Sequence, residues 1–332
     1  MERTPNRRVG SLALALCLGV CAYAVADAGG RTTSVAASRR VPPPATALSH
    51  GAHDGLGEAT SGPASGSSAL SRAVVDSFSS PGLFPMGVDW RPGGSIGYHV
   101  DEEMGEVYSL SADGSAAYLW SVAAESGQPL ARNIGNGLCL VESHGREFLY
   151  VTDFNGNTED PDTDRVYAFE LDGNVVDSMV GCWDVEAVAD RVVGICFDGQ
   201  SFWLSSDARG EVVRCDTLFQ ELESFAHPSG SSGAIDFDPL TGYYYLTDYL
   251  TGDVFVCDSS MGLIDSFRGH ETAAHVAGLA LGEATRERTL WMTSYGTADP
   301  PLDPCVMIVD DVYYNETPVA RSTWTSLKVM YR

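Results

Sequence analysis

The sequence predicts an all-β fold: a single β-propeller of four-stranded blades, closed into a ring by an N-terminal strand. Three observations carry this expectation. One phrase of structure recurs five times; each copy breaks into short runs of strand-forming residues between turn signals; and a copy of the last run stands ahead of the first phrase. Repeats of this period mean stacked units that cannot bury their faces alone.

Each phrase opens at a small residue, Gly87, Gly137, Gly194, Ala234 or Gly278, at spacings of 50, 57, 40 and 44 residues. An apolar run follows it and forms the first strand, as in Ile195-Cys196-Phe197. The second strand carries an aromatic slot, filled by Tyr98, Tyr150, Trp203, Tyr245 and Trp291. Three residues on lies a polar turn position: Asp101, Asp153, Ser206, Asp248 and Ser294. The third strand begins at Val107, Val166, Val212, Val254 and Val306. The fourth reads Val175–Met179, Glu221–Phe225 and Leu263–Phe267 in the middle copies. Asp172-Gly173, Asp198-Gly199 and Thr241-Gly242 supply hairpin signals between the runs.

Val74–Phe78 is a fourth-strand sequence that precedes the first blade, and the fifth copy lacks one after its third strand. The N-terminal strand is therefore expected to complete the last blade and remove the exposed edges. Five blades are countable. Six is the alternative if Val312–Arg332 forms a degenerate blade; a short C-terminal helix with Trp324, Leu327 and Tyr331 on one face is preferred there.

Residues 1–26 combine Arg3, Arg7 and Arg8 with an apolar run and small-x-small sites near Ala24 and Ala26, the pattern of a signal peptide for export to a periplasm or the cell exterior. Residues 27–72, rich in Ala, Ser, Gly and Pro, are expected to be a disordered linker, and 73–332 the propeller. No later stretch is apolar enough to span a membrane. A net charge of −25 repels phosphate backbones and anionic lipid, so nucleic acid is excluded as a partner class. A protein, a glycan or a small molecule remains open, and a monomer is expected.

Cys139, Cys182, Cys196, Cys215, Cys257 and Cys305 remain after residue 26. Cys215 and Cys257 share a slot with Leu110 and Phe169, so they read as small core hydrophobes. Cys182, in the longest connection between copies, is the candidate for one bridge, to Cys139 or Cys196. No Cys/His spacing suggests zinc.

The blade text resembles repeats of the NHL and YVTN type, a family that also looks like streptogramin-lyase and gluconolactonase propellers. The stretches that carry the resemblance are Tyr150–Asp153, Arg165–Phe169 with Asp172-Gly173, and Ser80-Pro81-Gly82 followed by Gly87–Trp90. It implies a propeller that serves as scaffold, ligand sensor or, less commonly, enzyme, and a shared fold does not transfer an activity.

Two copies stretch. From the polar turn position to the third-strand Val, blades 1, 3 and 4 take 6 residues, blade 2 takes 13 and blade 5 takes 12. Both insertions leave on one face of the ring, where a repeat protein commonly binds. The blade 2 insertion offers Asp153, Asn155, Asn157, Asp160, Asp162 and Asp164 as oxygen donors for calcium, although Thr158 replaces the usual turn glycine; a plain acidic loop is the simpler alternative. In the blade 5 insertion Tyr295, Asp299 and Asp303, stiffened by prolines, are the candidate ligand contacts.

Catalytic constellations are thin. His99 lies in a strand as a spacer, His270 and His275 flank Glu271, and no nucleophile motif stands beside them. A secreted non-enzymatic binding module is the first expectation. The alternative is a calcium-dependent, lactonase-like hydrolase or lyase, using Asp89 and Asp236 at the channel mouth with Asp153 or Asp248 behind them.

Overall fold

A computed structural model describes residues 74–82, 84–91, 96–101, 105–127, 134–153, 164–269, 275–282, 289–294 and 305–310. All of them fall in the compact unit Ser65–Arg332. Among the described residues, twenty strands form five antiparallel four-stranded sheets, one per repeated phrase.

Blade 1 is β2 (Pro85–Trp90), β3 (Ile96–Asp101), β4 (Glu106–Ser111) and β5 (Ala116–Ser121). Blade 2 is β6 (Ile134–Ser143), β7 (Arg146–Asp153), β8 (Arg165–Asp172) and β9 (Val175–Asp184). Blade 3 comprises β10 (Val192–Phe197), β11 (Phe202–Ser206), β12 (Glu211–Cys215) and β13 (Glu221–Ala226). Blade 4 comprises β14 (Ser232–Asp238), β15 (Tyr243–Asp248), β16 (Asp253–Cys257) and β17 (Leu263–Arg268). In blade 5, β18 (Val276–Gly282), β19 (Thr289–Ser294) and β20 (Cys305–Asp310) are completed by β1 (Val74–Ser79), which pairs antiparallel with β20. The expected N-terminal closing strand is thus in place. Ring closure at five follows from the packing of β18 beside β2.

The aromatic slot explains why the blades stack. Tyr98, Trp203, Tyr245 and Trp291 are buried, each in a hydrophobic cluster that spans two neighbouring blades. Trp291 meets Trp90 of the next blade at 4.4 Å between ring centroids, and Trp203 meets Tyr244 at 4.6 Å. Flat rings covering the sheet face bury large area without closing the space that the next sheet must enter.

Hydroxyl groups one residue before the polar turn position sew the inner strands together. Ser205 donates to the Gly233 carbonyl, Thr247 to the Val276 carbonyl at 3.3 Å, and Thr293 to the Met86 carbonyl, each reaching the next blade. Thr152 instead accepts from the Gly137 N–H within its own blade, at 2.7 Å. Val100 fills this slot in blade 1, where His99 takes the carbonyl of Gly87 through Nδ1 at 3.1 Å. His99 is fully buried, and burial lowers its pKa to about 4. It is a neutral structural donor rather than a partly buried spacer.

One element goes beyond the sequence reading, and one expectation is corrected. Residues Val122–Ser126 after blade 1 form a short helix, α1, capped by Ser121, whose Oγ accepts from the Ala124 N–H, and by Gly127 in the left-handed region at φ 66°. Cys182 forms no bridge: Cys139, Cys182, Cys196, Cys215 and Cys257 are all free thiols. Cys182 lies on outer strand β9, opposite Tyr167, whereas Cys139 and Cys196 lie on the inner strands β6 and β10. Three strand spacings, about 14 Å, separate β9 from β6, beyond the ~7 Å Cα limit of a disulfide. The core role expected of Cys215 and Cys257 holds, since both are fully buried. The signal-peptide and linker segments and the C-terminal helix lie outside the described residues.

Gly278→Ala is expected to destabilise the ring by about 1–3 kcal/mol in urea unfolding, because overpacking a tight contact strains its backbone. A Cβ there would stand 1.9 Å from the Met86 carbonyl oxygen. Unfolding unchanged by this substitution would contradict the close approach of β18 and β2. Maleimide applied to the native chain is expected to modify Cys182, with Cys215 and Cys257 reacting only after denaturation, as read by peptide mass mapping.

Candidate functional site

The inner strands define the axis. Gly87, Gly137, Gly194, Ala234 and Gly278, each with the apolar residue after it, surround a space of about 10 Å³. That is room for no more than about one water molecule. Small residues are required here because a Cβ at Gly137 would stand 2.9 Å from the Gly194 Cα and one at Gly194 2.9 Å from the Ile235 nitrogen. The axis is therefore a seal.

Two residues beyond the small position lies a second ring: Asp89, Cys139, Cys196, Asp236 and Ala280. An innermost strand has one edge without a partner strand, so its N–H groups must find other acceptors. Asp89 takes two, its own blade's Trp90 N–H through Oδ1 at 2.6 Å and blade 2's Leu140 N–H through Oδ2 at 2.6 Å. Asp236 repeats the arrangement with Phe237 at 2.7 Å and with Leu281 of blade 5 at 2.7 Å. The Phe197 N–H of blade 3 bonds to the Cys139 thiol. Side chains at this one repeat position, two Asp and one Cys, thus bridge neighbouring blades at three of five junctions.

The electrostatics follow from this placement. Burial, and then the neighbouring Asp236 carboxylate, raise the Asp89 carboxyl well above its ordinary range, against the lowering effect of the Leu140 and Trp90 N–H groups. Burial likewise pushes the Cys139 and Cys196 thiols upward, helped by the same two carboxylates. These thiols are protonated at neutral pH and poor nucleophiles.

The ends of the blade 2 insertion are anchored. Asp153 is buried and accepts from the Tyr167 hydroxyl at 3.4 Å. Its register partner is Arg165, next to Asp164, so the two ends of the loop stand side by side. Asp164 is buried too, and its carboxylate accepts from the Arg191 N–H in the connection to blade 3. Asn155, Asn157, Asp160 and Asp162, and Tyr295, Asp299 and Asp303 of blade 5, lie outside the described residues. Among the described residues no three His, Cys, Asp or Glu side chains converge to hold a metal ion. Asp248 forms a turn, accepting from the Leu250 and Thr251 N–H groups at 2.8 Å each. His275 packs on Tyr249, with 4.9 Å between ring centroids, while His270 and Glu271 lie outside the described residues.

A concavity of about 510 Å³ was not singled out by the sequence. It lies at the opposite end of blade 2 from the insertion, at the hairpins after β6 and β8, and is lined by Glu142, Glu147, Glu170, Asp172 and Asp177 with Arg146. Arg146 pairs with Glu170 at 3.1 Å, and Glu147 with Arg91 of blade 1 at 2.5 Å. The available signal was acidic residues flanking the two hairpin turns His144-Gly145 and Gly173-Asn174, a composition common to ordinary surface turns.

These features define a five-bladed β-propeller with a sealed axis. No protein-family model and no curated protein matches the sequence. Similar solved structures include the glutaminyl cyclase of Myxococcus xanthus, at 14% identity and TM-score 0.48, covering 72% of this chain and 97% of that one. The PQQ-bound aldose sugar dehydrogenase of Streptomyces coelicolor is similar at 11% identity and TM-score 0.46, covering 72% and 98%. A nidogen/laminin complex matches at 15% and 0.42, covering 59% of this chain and 67% of that one. The likeness is one of fold. Among the described residues no helix is long and apolar enough to cross a membrane.

Asp89→Asn tests the mouth ring through pH. A raised folded pKa means that the fold holds this proton more tightly than the unfolded chain does. Its stabilising contribution is complete below the ordinary carboxylate pKa of about 3.9 and is lost as pH rises through the higher folded value. The melting temperature of the parent chain, relative to Asp89→Asn, is expected to fall as pH climbs from about 4 upward. A pH-independent difference would place Asp89 in an ordinary solvated environment.

Proposed function

We propose that this chain is an exported, non-enzymatic propeller of the NHL/YVTN kind that acts as a binding or interaction module in a periplasm or outside the cell. One observation carries the reading: the axis is filled, and the carboxylates nearest to it, Asp89 and Asp236, are each held by two backbone N–H groups. A lactonase-like mechanism would need those acids pointing at a bound metal and a substrate-sized space above them. What remains available for recognition is the outside of the ring and the faces around its mouth. A protein, glycan or small molecule is the partner class consistent with the acidic charge, and the ring works as a monomer. Calcium, on the blade 2 insertion with Asp153, Asn155, Asn157, Asp160, Asp162 and Asp164 as donors, is the accompanying metal proposal.

Two measurements on the purified chain test this. Lactone and aryl-ester substrates are expected to show no turnover above background, with or without calcium; turnover that disappears in Asp89→Ala or Asp153→Ala would overturn the binding-module reading. Melting temperature followed against calcium is expected to rise if the loop binds the ion, since stabilisation grows as RT ln(1 + [L]/Kd). No shift at millimolar calcium would remove the metal proposal.

A further inference from the structure

We propose that the outer edge of β9, with the acidic concavity at its start, takes a short extended cationic peptide by strand addition. The inference deepens the binding-module reading and rests on it. The last strand of a sheet presents unpaired N–H and C=O groups, the template on which an extended segment adds. β9 stands last in its sheet and runs for 10 residues, against 6 in each of β5, β13 and β17. Among the described residues no backbone hydrogen bond reaches that edge from Val175 to Trp183.

Its side chains are unusual for an exposed edge. Val175 is 68% exposed, Met179 41% and Val180 45%, and Met179–Trp183 holds no charged residue. Edge strands ordinarily carry charges to repel partners. Here the strand keeps an uncharged run, Ser178–Trp183, between Asp177 and Asp184, and the acidic concavity lies at its start. Asp172 and Asp177 belong to the concavity, which sets Glu142, Glu170, Asp172 and Asp177 against the guanidinium of Arg146, while its fifth carboxylate, Glu147, pairs with Arg91. Two register shifts, at Ala168/Phe169 and Glu170/Leu171 opposite, bulge β9 and bend its edge. The bends limit growth of an extended sheet and leave short runs for a single added segment.

Charge selects the occupant. A second copy of this chain would bring its own net −25 and another acidic hairpin end to the same place. A segment alternating apolar side chains with Lys or Arg would lay the first along Met179 and Val180 and set the second among Glu142, Glu170, Asp172 and Asp177. The field of the whole chain would also speed its encounter.

The test uses the full chain and a ten-residue fluorescein-labelled peptide alternating Val and Lys, read by fluorescence anisotropy. Three comparisons accompany it: a Val/Glu peptide, a Lys/Gly/Ser peptide of equal charge, and the variants Val180→Lys and Leu222→Lys, both at exposed positions. Binding is expected for the Val/Lys peptide alone, with Kd raised about tenfold or more by Val180→Lys, a loss of about 1.4 kcal/mol, and unchanged by Leu222→Lys. The bound peptide is also expected to slow maleimide modification of Cys182, the exposed thiol on β9. Equal binding of the Lys/Gly/Ser peptide, equal effects of the two variants, or an unshielded Cys182 would each overturn the proposal. Protection of Cys182 that grows with protein concentration without peptide would assign the edge to a second copy and overturn it as well. Absent peptide binding together with absent ester turnover removes only this inference; turnover removes the reading beneath it.

Discussion

Five unpaired strand edges converge on one axis, and the rest of this structure depends on how their backbone groups are satisfied. A sheet can leave its outer edge to water, but an inner edge at the centre of a sealed ring has none to turn to. The chain meets this with side chains placed one turn of the repeat away. Asp89, Asp236 and Cys139 accept the N–H groups, while Ser205, Thr247 and Thr293 donate to carbonyls of the following blade. Each such bond crosses a blade junction, so satisfying the backbone and closing the ring are one event.

The same requirement accounts for the residues at the small position. Inner strands can share hydroxyls and carboxylates only at near-contact distance, and only Gly or Ala leaves that distance open. Small residues then remove any room for a ligand along the axis. At the channel mouth Asp89 and Asp236 are each engaged by two backbone N–H groups. Asp89 there is part-buried and raised in pKa for a structural reason, which shows why a perturbed carboxylate is only a probabilistic sign of a catalytic site.

The outer strands differ among blades: β9 runs for 10 residues with two register shifts against β8, while β13 runs for 6 and carries Glu221 and Glu223. Conversely, the small position that opens each inner strand varies little, Gly in four copies and Ala in one, because every copy faces the same geometry there. Variation at the rim over a constant centre is what a scaffold permits when stability resides in junctions between blades.

The repeat determined the ring by itself. Period-2 apolar runs, one aromatic per second strand and a displaced fourth strand before Gly87 leave a five-membered closed propeller as the economical way to bury every face, and the closing pair β1–β20 agrees with it. The slot shared by Cys215 and Cys257 was legible for the same reason, since equivalent positions in a repeat meet equivalent surroundings. Other features depended on distances across blades. Sequence marks Asp89 as an acid near the axis but does not contain the Leu140 N–H, 51 positions away, that holds it. It marks Cys182 as one thiol of six but not the width of a blade between it and Cys139. The acidic concavity and the free edge of β9 were illegible too, because turn acids and fourth strands look alike in one dimension. Periodicity records which neighbours each unit must have; only the closed ring decides which side chains cross the gaps between them and which are left facing out.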